Sequence, residues 1–86
     1  MSVLQEFEDK YPEIYNGLLA LIERNISGLA DNEKIRILEE DYPEIYRYAN
    51  ALIGYAICYD GEKYRIELFR EKYPDIHEGA EAALQI

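Results

Sequence analysis

Few side chains in this sequence of 86 residues could do chemistry. His77 is its one histidine, and therefore the one side chain that ordinarily titrates near neutral pH. Glu81 follows four residues later, so on a helix the two side chains would share a face and could offer two ligands to a metal ion. A zinc site needs three or four such ligands. We therefore predict no metal site and interpret His77 as a packing residue.

The one cysteine, Cys58, lies in an apolar stretch with no Lys, Arg or His within four residues. Such a setting disfavours the reactive thiolate, so we predict an inert core residue. A lone cysteine cannot form an intramolecular disulfide, which fits a reducing cytoplasm. The sequence contains no phosphate loop, calcium loop or nucleophile elbow. We predict that the protein is not an enzyme, has no catalytic residue and uses no cofactor.

The net charge of the chain limits the kinds of partner that it can bind. Eighteen acidic residues against nine basic ones give a formal net charge of −9. A nucleic-acid backbone or an anionic membrane surface would be repelled by such a chain, because both are bound through clustered Lys and Arg. The most apolar stretch, residues 45–59, is shorter than the roughly 20 residues that a membrane-spanning helix needs. The first residues lack a signal-peptide pattern. We expect a cytoplasmic protein whose partner is another protein.

The sequence repeats itself. Tyr-Pro-Glu-Ile-Tyr begins at Tyr11 and again at Tyr42, and Tyr-Pro-Asp-Ile-His begins at Tyr73, so the period is 31 residues. Aligning residues 4–34 with 35–65 gives 10 identities in 31 positions, well above chance. A fixed period of this kind predicts a recurring structural unit.

A chain of this length forms one domain. We predict a single domain over residues 1–86, built from copies at approximately 4–34, 35–65 and 66–86, the last of them truncated. The period differs from the 34 residues of tetratricopeptide repeats and the 33 of ankyrin repeats, and their signatures are missing. The sequence identifies no family.

Every copy has the apolar spacing of an amphipathic helix, which predicts an all-α fold. In the middle copy the apolar residues recur at steps of three and four: Ile35, Leu38, Tyr42, Ile45, Ala49, Leu52 and Ala56. The links between copies are polar or contain glycine. Asp31 and Asp60 in these links are candidate helix N-caps.

The proline in each copy allows two interpretations. A proline inside a helix costs roughly 3 kcal/mol, whereas the first position of a helix tolerates it. This favours a break at every Tyr-Pro and six short helices. The apolar stripe, however, keeps its phase through the proline, and residues 39–41 would place three acids at a helix C-terminus. Three kinked helices are the alternative.

The stretch over residues 45–59 is apolar on every side, so it must be buried all round or must leave one face for a partner. In the first case it is the central helix, covered by the other two copies. In the second, tyrosines form an interface for another protein or for a second copy of the chain. The candidate residues of this apolar interface are Tyr48, Tyr55, Ile57 and Tyr59.

The acidic residues are either a solvated surface or a binding surface for a basic partner. The candidates for the binding surface are Glu6, Asp9, Glu13, Glu33, Glu39, Glu40, Asp41 and Glu44. Such carboxylates could stand in for the phosphates of a nucleic acid. In size, charge and helicity the chain resembles DNA-mimicking phage inhibitors, of the anti-restriction or anti-CRISPR kind, which implies an inhibitor that acts by stoichiometric binding.

Two functional hypotheses follow. The first is a small regulatory adaptor that binds another protein through tyrosine-rich apolar surface, with a homodimer as one form. The second is an acidic inhibitor of a nucleic-acid-binding protein, or an antitoxin-like neutraliser of a basic toxin. Salt should separate them, because only the second depends on long-range attraction between charges.

Overall fold

The computed structural model describes residues 2–58 and 63–85. Within them the fold is all-α, as predicted, with no strand. The six helices are α1 (Val3–Lys10), α2 (Pro12–Ser27), α3 (Asn32–Asp41), α4 (Pro43–Ile53), α5 (Lys63–Lys72) and α6 (Pro74–Leu84), and a π-helical segment (Gly54–Cys58) continues α4.

Each Tyr-Pro pair breaks its helix, so the first interpretation of the prolines is confirmed. Tyr11 has φ −133° and ψ 63°, and Tyr42 and Tyr73 have nearly the same angles. The N–H of Tyr11 still donates to the carbonyl of Phe7 and its C=O accepts from Tyr15, at 2.9 and 2.8 Å. A single non-helical residue thus separates two helices while helical hydrogen bonds continue on both sides. This explains why the apolar stripe keeps its phase across the break.

The residues that cap α2 and α3 are of types that favour helix ends. The side chain of Asp31 accepts hydrogen bonds from the N–H groups of Glu33 and Lys34, so it is the predicted N-cap of α3. Gly28 ends α2 with φ 79°, a left-handed conformation that glycine adopts without steric penalty. The other predicted cap, Asp60, lies outside the described residues.

The helices form a closed ring. Each helix packs against its neighbours along the chain, and α6 packs back against α1. The core inside this ring holds Phe7, Leu38 and Phe69, which are all at most 3% exposed and lie 31 residues apart. At each Tyr-Pro break, the last turn of one helix meets the first turn of the next. The breaks join α1 to α2, α3 to α4 and α5 to α6.

Helices α2 and α6 pass very close to their neighbours. A Cβ atom at Gly17 would lie 2.7 Å from the Cβ of Leu38, and one at Gly79 would lie 2.4 Å from the ring of Phe7. At the corresponding place between α4 and α5, the ring of Tyr48 stacks on Phe69 with centroids 5.6 Å apart. Each contact joins one helix pair to the next, and the Gly79 contact closes the ring.

Candidate binding surface at the Tyr-Pro end

The three Tyr-Pro breaks converge at one end of the molecule. They border a depression of about 640 Å³. Its floor and walls are formed by Lys10, Tyr11, Pro12, Glu13, Ile14, Tyr42, Ile45, Tyr73 and Ile76. We call this end, with the adjoining helix turns at residues 8–14, 39–45 and 70–76, the Tyr-Pro end.

Two tyrosine–glutamate hydrogen bonds join neighbouring parts of this end. The hydroxyl of Tyr42 donates to Oε1 of Glu13 at 3.1 Å, and that of Tyr73 donates to Oε1 of Glu44 at 2.6 Å. Lys72 adds an ion pair to the second carboxylate, with Nζ 3.6 Å from Oε2. The hydrogen bond from Tyr73, helped by the charge of Lys72, lowers the pKa of Glu44. Each hydrogen bond also raises the pKa of its tyrosine.

The junction between α6 and α1 differs. Tyr11 and Asp75 hold the corresponding positions, yet these two side chains form no hydrogen bond in the described structure. They line a smaller cavity of about 60 Å³ between α1 and α6. Aspartate is one methylene shorter than glutamate, which explains why the third carboxylate falls short of its tyrosine.

Most of the predicted acidic surface gathers at the Tyr-Pro end. Six of the eight candidates lie within three residues of a Tyr-Pro break: Asp9, Glu13, Glu39, Glu40, Asp41 and Glu44. The other two lie elsewhere. Glu6 lines the cavity between α1 and α6, and Glu33 lies in the first turn of α3, 2.6 Å from Arg36.

Several of these carboxylates already have partners within the chain. Asp9 accepts a hydrogen bond from Gln5, and Glu13 and Glu44 hold the tyrosines. In contrast, Glu39, Glu40 and Asp41 are exposed and form no hydrogen bond or ion pair in the described part of the chain.

These three acids occupy an unfavourable place. They form the last turn of α3, where the helix dipole is negative and cations are favoured. The last turn of α1 contains Lys10, and that of α5 contains Arg70 and Lys72, but that of α3 contains no basic residue. The last turn of α3 is therefore the most negative of the three that border the Tyr-Pro end.

The predicted apolar interface does not form one exposed face. Tyr48 is 7% exposed and stacks on Phe69, so it belongs to the core. Ile57 is half-buried against the core, whereas Tyr55 is 44% exposed. Tyr59 lies outside the described residues. Helix α4 is thus largely the covered central helix, and Tyr55 remains at the surface.

A different apolar surface escaped the sequence analysis. Leu19, Ile26 and Leu29 are 37, 68 and 77% exposed, and the half-buried Ile22 lies between them. We call these four residues the α2 stripe. Leu19, Ile22 and Ile26 lie on α2, and their spacing of three and four marks a second apolar face beside the one that enters the core; that spacing was the available signal. Leu29 follows the Gly28 cap, beyond the end of the helix.

His77 lies in the core, as the packing interpretation requires. Its side chain is 4% exposed and its ring meets Phe69 edge-on at 5.2 Å. Nδ1 lies 3.3 Å from Oε1 of Glu81, while the buried Nε2 has no partner in the described structure. Burial lowers the pKa of His77, and the carboxylate of Glu81 opposes this effect.

The remaining chemical predictions concern metals and membranes. In residues 2–58 and 63–85, no three His, Cys, Asp or Glu side chains are placed to share a metal ion. No helix in the same residues is long and apolar enough to cross a bilayer. Cys58 ends the π-helical segment, and its side chain lies outside the described part.

No protein-family model, curated protein or solved structure matches this chain.

Proposed function

We propose that this protein is a non-catalytic regulator that acts by stoichiometric binding, and that the Tyr-Pro end binds a basic protein surface. The observation that carries the proposal is the convergence of the three Tyr-Pro breaks around one depression: six candidate carboxylates lie within three residues of these breaks, and one of them, Glu13, lines the depression. A protein with a net charge of −9 attracts a basic partner over distances near the Debye length, about 8 Å at physiological salt.

The last turn of α3 is the centre of this surface. The last turn of α3 contains Glu39, Glu40 and Asp41, whose negative charges are unfavourable at the negative end of the helix dipole. These three side chains have no partner within the described chain. A basic partner would supply the missing positive charge and would relieve the repulsion with the helix dipole. The fold tolerates these acids at some loss of stability, which is the pattern expected of residues retained for binding.

The proposal includes the three-copy organisation of the chain. Its support is that equivalent positions make equivalent contacts: residue 17 meets residue 38, residue 48 meets residue 69, and residue 79 meets residue 7. The two tyrosine–glutamate bonds follow the same rule. Three copies arranged as a ring would present three related turns to one partner.

A basic partner that normally holds nucleic acid, or a basic toxin, fits this surface better than a partner bound through tyrosines. The adaptor hypothesis relied on an exposed apolar face that includes both Tyr48 and Tyr55. Because Tyr48 is buried, Tyr55 is exposed without this neighbour in the face. In either form of the proposal the protein works in the cytoplasm and binds no nucleic acid itself.

The test measures binding of a labelled oligolysine peptide by fluorescence anisotropy across a salt series. The variant Glu39→Gln/Glu40→Gln/Asp41→Asn removes three charges at the Tyr-Pro end. The matched control Glu23→Gln/Glu33→Gln/Glu67→Gln removes three exposed charges elsewhere. Exposed ion pairs contribute roughly 0.2–1 kcal/mol each, so the first variant should bind about tenfold more weakly than the control.

Two further measurements sharpen this test. Amide chemical-shift changes on titration with oligolysine should concentrate at the Tyr-Pro end. The first variant should also be more stable than the original chain in low salt, by about 1 kcal/mol, because unfavourable charges leave a helix C-terminus. Equal loss of affinity in both variants, or shift changes spread over the whole surface, would contradict the proposal and leave net charge as the sole cause of binding.

A further inference from the structure

The depression at the Tyr-Pro end differs in character from the acidic surface around it. Seven of the nine side chains that form it are aromatic or aliphatic, and the other two, Lys10 and Glu13, have opposite charges. The depression itself is therefore close to neutral. The unpartnered acids of α3, at residues 39–41, lie outside its lining, although they directly precede Tyr42, which belongs to it.

From this contrast we infer that the depression receives a large apolar side chain of the basic partner, an inference that rests on the proposed function. Lys or Arg residues beside this side chain in the partner's sequence would then meet the surrounding acids. The contact segment of the partner thus has an apolar centre and basic neighbours. Protein interfaces commonly place an apolar anchor in a central pocket and charged groups at the rim.

Hydrogen bonds within the chain leave mainly ring surface for the occupant. The hydroxyls of Tyr42 and Tyr73 already donate to the carboxylates of Glu13 and Glu44. The three isoleucines of the lining are buried, at most 7% exposed. A polar group placed against such walls would lose its hydrogen bonds with water and would gain few in return. This favours an apolar occupant over a polar one.

The same hydrogen bonds hold two walls of the depression in place before a partner arrives. Side chains that are already ordered lose little conformational entropy on binding, so more of the contact energy appears as affinity. The volume of about 640 Å³ lies within the range of roughly 300–1,000 Å³ that is typical of ligand sites. One large side chain fits there together with part of its neighbours.

Charge determines which segment can bring such a side chain to the depression. The chain has a net charge of −9, and the acids at residues 39–41 have no partner within the described chain. An acidic segment with the same apolar side chain would be repelled, whereas a basic one is attracted and then held at the rim. A second copy of this chain fits poorly, because it has the same negative charge.

The experiment compares two labelled oligolysine peptides of equal length, one with leucine and one with serine at its centre, by fluorescence anisotropy. Full burial of a leucine side chain corresponds to roughly ten- to hundredfold in affinity, and the open depression should give about tenfold. Both affinities should weaken as salt rises, because the lysines bind through charge. The ratio of the two affinities should persist, because it reports apolar burial.

Nuclear Overhauser effects locate the leucine without any change in the protein. Its methyl groups should give effects to the ring protons of Tyr11, Tyr42 and Tyr73. Effects to the α2 stripe instead would overturn the inference. Equal affinities of the two peptides would also overturn it and would leave the proposed function intact. Failure of both peptides to bind would overturn the proposed function and the inference together.

Three variants test the nature of the site. Tyr11→Ser removes a ring from the wall and should reduce the affinity ratio severalfold, whereas the matched control Tyr64→Ser, at a position 59% exposed on α5, should preserve it. Lys10→Glu makes the lining acidic and should raise both affinities equally. A larger gain for the serine peptide would place a lysine in the depression and would overturn the apolar anchor.

Discussion

The hydroxyl of Tyr73 lies 2.6 Å from Oε1 of Glu44, a residue 29 positions earlier, and Tyr42 holds Glu13 across the same sequence separation. Each bond joins a helix break to the first turn of the helix that follows the previous break. In sequence terms each of these tyrosines reaches back to the glutamate beside the preceding Tyr-Pro pair. These bonds fix the rim of the depression at the Tyr-Pro end and hold two of its carboxylates in place.

The third junction should gain stability from one methylene. Asp75→Glu should let the carboxylate reach the hydroxyl of Tyr11 and form the bond that the other two junctions have. A typical hydrogen bond contributes about 0.5–1.5 kcal/mol, so urea denaturation should give a free energy of unfolding higher by that amount. The gain should disappear in Asp75→Glu/Tyr11→Phe. An equal gain with Tyr11→Phe present would mean that helix propensity, not the bond, is responsible.

Removal of the Tyr73 hydroxyl should change the titration of Glu44. In Tyr73→Phe the largest cause of the lowered pKa is lost, so the pKa of Glu44 should rise toward the ordinary value, as measured by NMR titration. A lowered carboxyl pKa stabilises the fold above the ordinary value of about 4.3, and this stabilisation is lost as the pH falls further. The variant should lose less stability in that range. Tyr42→Phe is the control and should leave Glu44 unchanged.

His77 should make stability depend on pH in the mildly acidic range. Because burial lowers the pKa of His77 in the folded chain, the unfolded chain takes up the proton first. Stability should therefore fall as the pH drops below about 6.5 and level off below the lowered pKa. Glu81 and Arg70 are the charged groups that act on this ring. Urea midpoints at several pH values should show this loss, and His77→Phe should remove it.

The Glu81→Gln variant provides the control for that measurement. The carboxylate favours the charged imidazole, so its loss should lower the pKa of His77 further and deepen the fall in stability. A variant His77→Phe with the same pH dependence as the original chain would assign the effect to carboxylates instead.

Closure of the ring at α6 and α1 should depend on Gly79. A Cβ atom there would overlap the ring of Phe7, and forcing extra volume into a packed core costs about 1–3 kcal/mol. Replacing glycine by alanine within a helix gains about 1 kcal/mol and offsets part of this cost, so Gly79→Ala should destabilise the protein by as much as about 2 kcal/mol in thermal or urea unfolding. Glu78→Ala, an exposed neighbour, should have little effect. A Gly79→Ala variant that is more stable than the original chain would contradict the close approach.

Local signals predicted the helices and their ends. The proline at each break removes one hydrogen-bond donor, and the steps of three and four identify the buried side, as Phe7, Ile14 and Leu18 show. The capping role of Asp31 also followed from its position before a polar helix start. These features depend on neighbours a few residues away, which sequence patterns report well.

Which side chains are exposed at the surface depends on contacts between helices, and the spacing of residues along the chain does not predict these contacts. Of the two alternatives for residues 45–59, the interface included Tyr48, but the ring of Phe69 from the next helix pair covers this side chain, as the central-helix alternative requires. Ile26 and Leu29 were not singled out from the sequence, and only the packing around the end of α2 shows that both are exposed. The grouping of the acids likewise depends on the packing of α2 against α3, which brings the Tyr-Pro breaks at Tyr11 and Tyr42 to the same depression.

The closed ring also implies an order of events in folding. Neighbouring helices meet across short loops, whereas the contact between α1 and α6 joins the two ends of the chain. The entropy of closing a loop grows by only about 0.6 kcal/mol for each doubling of its length, so this last contact is thermodynamically inexpensive. Its long sequence separation nevertheless slows its formation. Docking of α1 on α6 should therefore follow the formation of the contacts between neighbouring helices.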